Sequence, residues 1–473
     1  MKIFCFVILQ FLSYKDNLLK QLADFQESTG SNQLTVSASI RNITDNRVFL
    51  EYNQGLAISP ASTQKLITTS TALMSLGENF TFQTHLQIDG PVINNTLRGN
   101  VIITGNGDPT FGSPRNSRPI DTLLNEWSWQ LKKMGIHKIE GKIIVPESEF
   151  ETYDIPDNWL WGDMGNYYGA IPLNVNLNEN YFTVFFKSGI KTGEPVEIIN
   201  FKPFDKDWKI INQVKSAERG TGDQVRIFTS PLSNTILLKG TIPVGSPAFP
   251  VKGSIPNPPD LLQKLFRNAL LERSILVEDK TMNLVLSERK IIATVNSVPL
   301  RDLIAECNFY SINIYADALA KAVCRASGVA PTFENYEKLL KDFWLMKGVD
   351  LSNFELEDGS GLSPNNFISS DKMTAILQYI GSQPNFPVFF RAVPVVGKHG
   401  TVAMLDKKKK TGGLVHAKSG SISKTRTYAG YFNNKEGNLF CFMFNISRYP
   451  SNKEGEVKAF LENILVNLID LNQ

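Results

Sequence analysis

The chain has 473 residues, enough for about three domains at roughly 150 residues each. Apolar residues make up 42%, with 30 Phe, and charged residues 20%, which supplies several buried cores and excludes a disordered or low-complexity protein. Forty-nine basic against 46 acidic residues leave a net charge of +3, too small a field to imply nucleic acid or a membrane surface.

Lys2 precedes the apolar stretch Ile3 to Leu12, the length of a signal-peptide core and too short to span a bilayer. Residues 1–14 are therefore expected to be a leader, with no other transmembrane anchor. Ser13-Tyr14-Lys15 is a poor cleavage site, so a buried first strand or helix is the alternative reading. Removal of the leader takes Cys5 and leaves Cys307, Cys324 and Cys441. Three cysteines cannot all pair, so an oxidising, exported location rests on the leader alone.

Asn17 to Phe25 reads as a short helix, and Thr35 to Arg41 and Val48 to Tyr52 as strands. A helix starts near Ser62 and runs through Leu66, Leu73 and Leu76 to Gly77. Between about 80 and 290 the texture becomes short strands with frequent Gly, Pro and Asn: Asn100 to Thr104, Lys142 to Val145, Tyr181 to Phe186, Arg226 to Phe228 and Thr235 to Leu238. Helical patterns return at Leu300 to Ala305 and Ile314 to Ser327. The chain then ends as three strands, Val415 to Ala417, Tyr428 to Phe432 and Leu439 to Ile446, and a helix, Val457 to Leu471. Since the two ends share one character, the expected organisation is one α/β (α+β) domain from residues 15–80 and 291–473. It is interrupted by a β-rich insertion, residues 81–290, of one or two domains.

Four scattered histidines, with no His-x-His or His-Glu-x-x-His spacing, argue against a zinc hydrolase. Ser62-Thr63-Gln64-Lys65 offers other chemistry. A serine needs a neighbouring base, and positions i and i+3 share a helix face, so Lys65 would reach the Ser62 hydroxyl. Such a lysine works as a base only when burial or another cation lowers its pKa. The spacing alone is weak, since it recurs at Ser188/Lys191, Ser287/Lys290, Ser369/Lys372 and Ser421/Lys424. Ser311-Ile312-Asn313 at a helix mouth and Lys418-Ser419-Gly420 at a strand are equally weak alone.

In this order the three elements match the S-x-x-K, S-x-N and K-[T/S]-G set of the penicillin-interactive serine enzymes. With 248 residues between Ser62 and Ser311, Gly105 to Pro109 in the insertion and Asp358 to Ser363 after it, the chain resembles the class C low-molecular-mass penicillin-binding proteins. The likeness spans roughly residues 17 to 470 and includes Ser59-Pro60-Ala61, Ser297 to Leu300 and Tyr428 to Tyr431. Ile312 and Ser419 depart from the commoner residues, but neither change removes a catalytic atom.

The resemblance implies a penicillin-binding/β-lactamase-like catalytic domain, its antiparallel sheet flanked by helices. It also implies a D-alanyl-D-alanine carboxypeptidase, with endopeptidase activity on peptidoglycan cross-links, working through an acyl-enzyme without metal or organic cofactor. Peptidoglycan stem peptides would be its substrates and β-lactams its covalent inhibitors. Ser62 would be the nucleophile, Lys65 its base, Ser311 a proton relay and Asn313 the holder of the peptide amide. Lys418 and Ser419, with Gly420 and Ser421 beside them, would meet the terminal carboxylate, and the backbone N–H groups of Ser62 and Ser421 the oxyanion. Asp163, in Trp159 to Asp163, would meet the amino end of a meso-diaminopimelate side chain. A β-lactamase and a catalytically silent cell-wall peptide-binding protein are the rivals. Against the first stands the long Ser62–Ser311 separation, and against the second the complete motif set. Lys407 to Lys410 reads as a solvated loop, and His416 as a neighbour of Lys418 without a base's role.

Overall fold

The two ends of the chain build one sheet. In the computed structural model, which describes residues 2–28, 34–115, 118–146, 153–281 and 289–471, five strands lie side by side. Their order is Val415–Ile422, Thr425–Asn433, Leu439–Ser447, Thr35–Asn42 and Arg47–Tyr52, with every neighbouring pair antiparallel. Leu439–Ser447 is central and buried on both faces, which is why it reads as a nearly unbroken apolar run rather than an alternating one. Phe440, Phe442, Phe444 and Ile446 join Leu18 and Leu22 of the helix Lys2–Ser28, and Leu461 and Leu465 of the helix Glu454–Asn467, in one core. The opposite face meets the helix Ser370–Gly381 through paired hydroxyls: Ser37 with Ser370 at 2.8 Å and Ser39 with Thr374 at 2.7 Å. Buried oxygens are thereby satisfied without water.

The chain divides into two compact units, Met1–Phe80 with Pro299–Gln473, and Thr81–Val298. The second extends past the expected boundary at 290, because Lys290–Asn296 pairs antiparallel with Gln83–Ile88. Its described residues form two three-stranded and two four-stranded sheets. The strand-and-turn texture concealed two helices there, Ile120–Lys133 and Pro258–Glu272. Both carried readable signals. Leu123, Leu124, Trp127 and Leu131 recur at helical spacing, and Asn257 caps the second helix by accepting from the Asp260 N–H at 3.1 Å, with Pro258 following. Trp127, 1% exposed, meets Phe266 edge-on at 5.9 Å and Phe111 at 5.3 Å. Trp127→Ala is expected to cost about 3–5 kcal/mol of stability in this unit. Calorimetry should show its transition lowered while the acylation rate of the folded protein stays at the wild-type value.

The N-terminal helix also runs further than Asn17 to Phe25, as one element Lys2–Ser28 that takes in most of the leader segment. Among the described residues no helix is long and apolar enough to cross a membrane. In the first unit the helices Phe333–Leu345, Ser370–Gly381 and Phe386–Arg391 were not anticipated.

Candidate active site

Pro60 leads into a single 3-10 turn, Ala61–Thr63, which runs directly into the helix Gln64–Leu76. Ala61 sits at φ +44°, a left-handed conformation that a non-glycine residue holds only under external constraint. The constraint is visible. Gly361, at φ +80°, lies so close that a Cβ there would stand 1.9 Å from the Ala61 carbonyl oxygen. The loop Asp358 to Ser363 is thus pressed against the turn that carries Ser62. Its own shape comes from the Asp358 carboxylate, which accepts N–H bonds from Ser360 at 3.1 Å, Gly361 at 2.6 Å and Ser363 at 2.7 Å.

Lys65 is wholly buried, and its Nζ lies 3.1 Å from Ser62 Oγ, 2.6 Å from Asn313 Oδ1 and 2.7 Å from the Ser360 carbonyl oxygen. The last two groups can only accept. A neutral amine therefore gives its two hydrogens to them and turns its lone pair to the Ser62 hydroxyl, the arrangement a base requires. Burial lowers the Lys65 pKa below 10.5, opposed in part by Cys307, Asp317 and Asp358. Asp317, one turn after Asn313 and equally buried, accepts from the Gly359 N–H at 3.0 Å.

Ser311 ends the helix Leu300–Tyr310 at φ +58°, and Asn313 opens the helix Asn313–Ala326. This tight corner sends the two side chains to different lysines. Lys418 Nζ donates to Ser311 Oγ at 2.8 Å and to the Ser419 carbonyl at 2.7 Å. Lys418 is also fully buried, not an exposed strand-end residue, and its pKa is driven well below 10.5, first by burial and then by the Lys65 charge. Gly420 brings the edge strand against the nucleophile turn, since a Cβ there would lie 2.8 Å from the Pro60 oxygen and 3.1 Å from the Ser62 nitrogen. Ser421 follows on the same strand, exposed. Ser62, Lys65, Ser311, Asn313, Lys418, Ser419 and Gly420 are therefore neighbours in one unit.

Asp163 belongs to the other unit, on the short helix Trp161–Met164. It accepts from Tyr168 Oη at 3.1 Å and pairs with Arg226 at 3.4 Å. The repeated Ser-x-x-Lys spacings lead elsewhere: Ser188 Oγ donates to the Pro243 carbonyl at 2.7 Å and Ser369 Oγ to the Asp371 carboxylate, while Ser287 lies outside the described residues. His416 donates from Nδ1 to the Val393 carbonyl at 3.1 Å and stacks on Phe390 at 4.1 Å, a structural use of its ring. Cys307 and Cys441 are buried thiols pushed up to about 12 by desolvation. Among the described residues no three His, Cys, Asp or Glu side chains group as metal ligands.

Spacing within the sequence missed the Ser360 carbonyl and Asp317. The one available signal for Asp317 was an acid inside the otherwise apolar helical run Ile314 to Ala320, a position that burial makes costly without partners.

Residues 16–464 match the family described as D-Ala-D-Ala carboxypeptidase 3 (S13). The D-alanyl-D-alanine carboxypeptidase DacB of Haemophilus influenzae is 27% identical over 439 residues, 89% of this chain and 86% of that protein. The crystal structure of penicillin binding protein 4 (dacB) from Haemophilus influenzae superposes with a TM-score of 0.77 at 24% identity, covering 95% of this chain and 99% of the other. The same protein complexed with a novel β-lactam gives 0.74 at 23% identity, covering 95% and 98%. At such identities the superpositions speak for the fold.

Proposed function

Because the chain belongs to the D-Ala-D-Ala carboxypeptidase 3 (S13) family and is a serine-type D-Ala-D-Ala carboxypeptidase, we propose that Ser62 is its nucleophile and Lys65 the base. Ser62 Oγ bonds to the carbonyl carbon of the penultimate D-Ala as its proton passes to Lys65 Nζ. The oxyanion is met by the backbone N–H groups of Ser62 and Ser421. The bond to the terminal D-Ala then breaks, and Ser311 passes a proton to the departing nitrogen, with Lys418 behind it at 2.8 Å. Water hydrolyses the ester, releasing the shortened peptide and restoring the serine. Asn313 Oδ1 is committed to Lys65, so a bond to the substrate peptide would come from its Nδ2. The observation that carries this reading is the Lys65 amine held between two obligate acceptors with its third direction at Ser62.

The same reading makes β-lactams covalent inhibitors, because the strained lactam carbonyl takes the place of the D-Ala-D-Ala amide. It also includes cleavage of peptidoglycan cross-links. Export to the periplasm or cell surface is supported by Lys2 and the apolar run Ile3 to Leu12. Asp163 is proposed to contact the ammonium of a diaminopimelate side chain, in competition with Arg226. Mass spectrometry after incubation with penicillin and with a D-Ala-D-Ala pentapeptide tests the function. A long-lived adduct on a Ser62 peptide and release of one D-Ala are expected. Rapid release of hydrolysed penicillin would instead mark a β-lactamase, and an inert protein a silent peptide binder.

Two further outcomes follow. Acylation needs the neutral Lys65 amine, and since burial depresses the Lys65 pKa, the rate should rise with pH along a limb whose midpoint lies below 10.5, falling away as acid restores the ammonium. Acylation rates across pH with a chromogenic β-lactam check this. Lys418→Ala should slow acylation at least about tenfold, from loss of a charge-assisted contact of about 1.5–3 kcal/mol. Lys418→Arg should rescue incompletely, because a planar fork replaces a compact ammonium. Wild-type acylation by Lys418→Ala would remove Lys418 from the site.

A further inference from the structure

The strand that carries Lys418 and Ser419 has a second hydroxyl waiting beside it. Ser419 Oγ donates to Thr401 Oγ1 at 2.8 Å, and Thr401 is exposed while Ser419 is half-buried. Thr401 occupies the one-turn 3-10 segment Gly400–Val402, and that segment is held tightly. Gly400, at φ +46°, approaches the Phe309 carbonyl so closely that a Cβ would lie 1.7 Å from its oxygen. His399 stacks on the Phe309 ring at 4.5 Å and 22°. The Gly397 N–H donates to the Val402 carbonyl at 3.0 Å, and the Val402 N–H to the His399 carbonyl at 3.2 Å, which closes the loop on itself. Phe309 lies just ahead of Ser311. The loop is therefore fastened to the corner bearing the second motif and presents one hydroxyl to the third.

We propose that Thr401 is a substrate-contacting residue that, with Ser419, grips the free terminal carboxylate and sets the enzyme's preference for it. The inference rests on the reading that Lys418 and Ser419 face that carboxylate. A hydroxyl that accepts from Ser419 still has its own O–H to donate. A carboxylate presents two oxygens, each able to accept more than one hydrogen bond. When it docks, the Ser419 O–H turns from Thr401 to one oxygen and the Thr401 O–H reaches the other. In the resting enzyme the Ser419 O–H is thus satisfied by Thr401 until a carboxylate replaces that contact. No bond is made or broken in this step, and no proton changes owner.

The test compares kcat/KM on one peptide ending in D-Ala-D-Ala as the free acid and on the same peptide as its C-terminal amide. The wild-type chain, Thr401→Val and Thr401→Ser are measured in parallel with their thermal midpoints. Thr401→Val keeps the shape and removes the hydroxyl. It is expected to reduce kcat/KM for the acid about 5–20-fold, the scale of one hydrogen bond to a charged group at a partly exposed site, and to leave the amide unchanged. Thr401→Ser should restore the acid-over-amide ratio. An equal fall on both substrates would mean that Thr401 only supports the loop, and an unchanged ratio in Thr401→Val would mean that it takes no part; either overturns the proposal. A wild-type enzyme that cleaves the peptide but is indifferent to amidation would overturn the carboxylate role of Lys418 and Ser419, and Thr401 with it. A wild-type enzyme that cleaves neither would count against the carboxypeptidase mechanism itself.

Discussion

Ser62→Ala is expected to abolish the penicillin adduct and to reduce release of terminal D-Ala by about 10,000-fold or more, the scale seen when a serine hydrolase loses its nucleophile. The reason is geometric. Ser62 is the hydroxyl toward which the buried Lys65 amine points at 3.1 Å, and it lies within the turn against which Gly420 brings the third-motif strand. Ser188 and Ser369 lack this setting: Ser188 donates to the Pro243 carbonyl and Ser369 to the Asp371 carboxylate. Ser188→Ala should therefore be acylated at the wild-type rate. The hydroxyl of Ser62 is not part of the packed interior, so the fold should change by no more than about 1 kcal/mol, and the thermal midpoint is the control. A full-mass adduct on Ser62→Ala would place the nucleophile elsewhere.

Lys65→Met should slow acylation of Ser62 by about 100- to 10,000-fold, the range that a positioned general base contributes. The substitution keeps an unbranched stem in the same buried slot but removes the proton acceptor. Its effect on stability is the balance of two opposed terms. Two buried acceptors, Asn313 Oδ1 and the Ser360 carbonyl, lose their donor, at about 1–3 kcal/mol each. Against this, the chain no longer has to strip an amine of water. The two are separated by pH. Burial depresses the Lys65 pKa in the folded state, so between that depressed value and the ordinary lysine value the unfolded chain holds the extra proton. Wild-type stability should thus rise with pH from the depressed folded value toward the ordinary lysine value, and be penalised most below the folded one. In Lys65→Met that slope should be shallower, because the Lys65 contribution is gone and, of the two buried site lysines, Lys418 alone remains. Denaturant titrations of both proteins across neutral to alkaline pH measure it. Equal slopes would mean that Lys65 keeps its proton on folding and is not the base.

Much of the site was legible because its motifs are local. The Ser62–Lys65 pairing needs only a helix pitch, and the sequence marks that helix by Leu66, Leu73, Leu76 and the terminal Gly77. The closing strands were equally legible, since Thr425–Asn433 and Leu439–Ser447 are joined by the turn Asn433 to Asn438 and pair as neighbours. The insertion helices were obscured by the Gly- and Pro-rich strands around them. Ser370–Gly381 was obscured by its polar positions, among them Ser370 and Thr374, whose hydroxyls face the sheet rather than water.

By itself the amino-acid sequence determined the order of the three motifs, the helix that sets Ser62 beside Lys65 and the division of the catalytic unit by an insertion. Only the tertiary structure decided what surrounds the Lys65 amine. Its two other contacts come from residues 248 and 295 positions away, and Lys418 reaches Ser311 across 107. Spacing along a helix governs which side chains within a turn or so face one another. The removal of water from an amine depends on every segment that covers it, and here the helix Asn313–Ala326 and the loop Asp358 to Ser363 are brought to Lys65 from far along the chain.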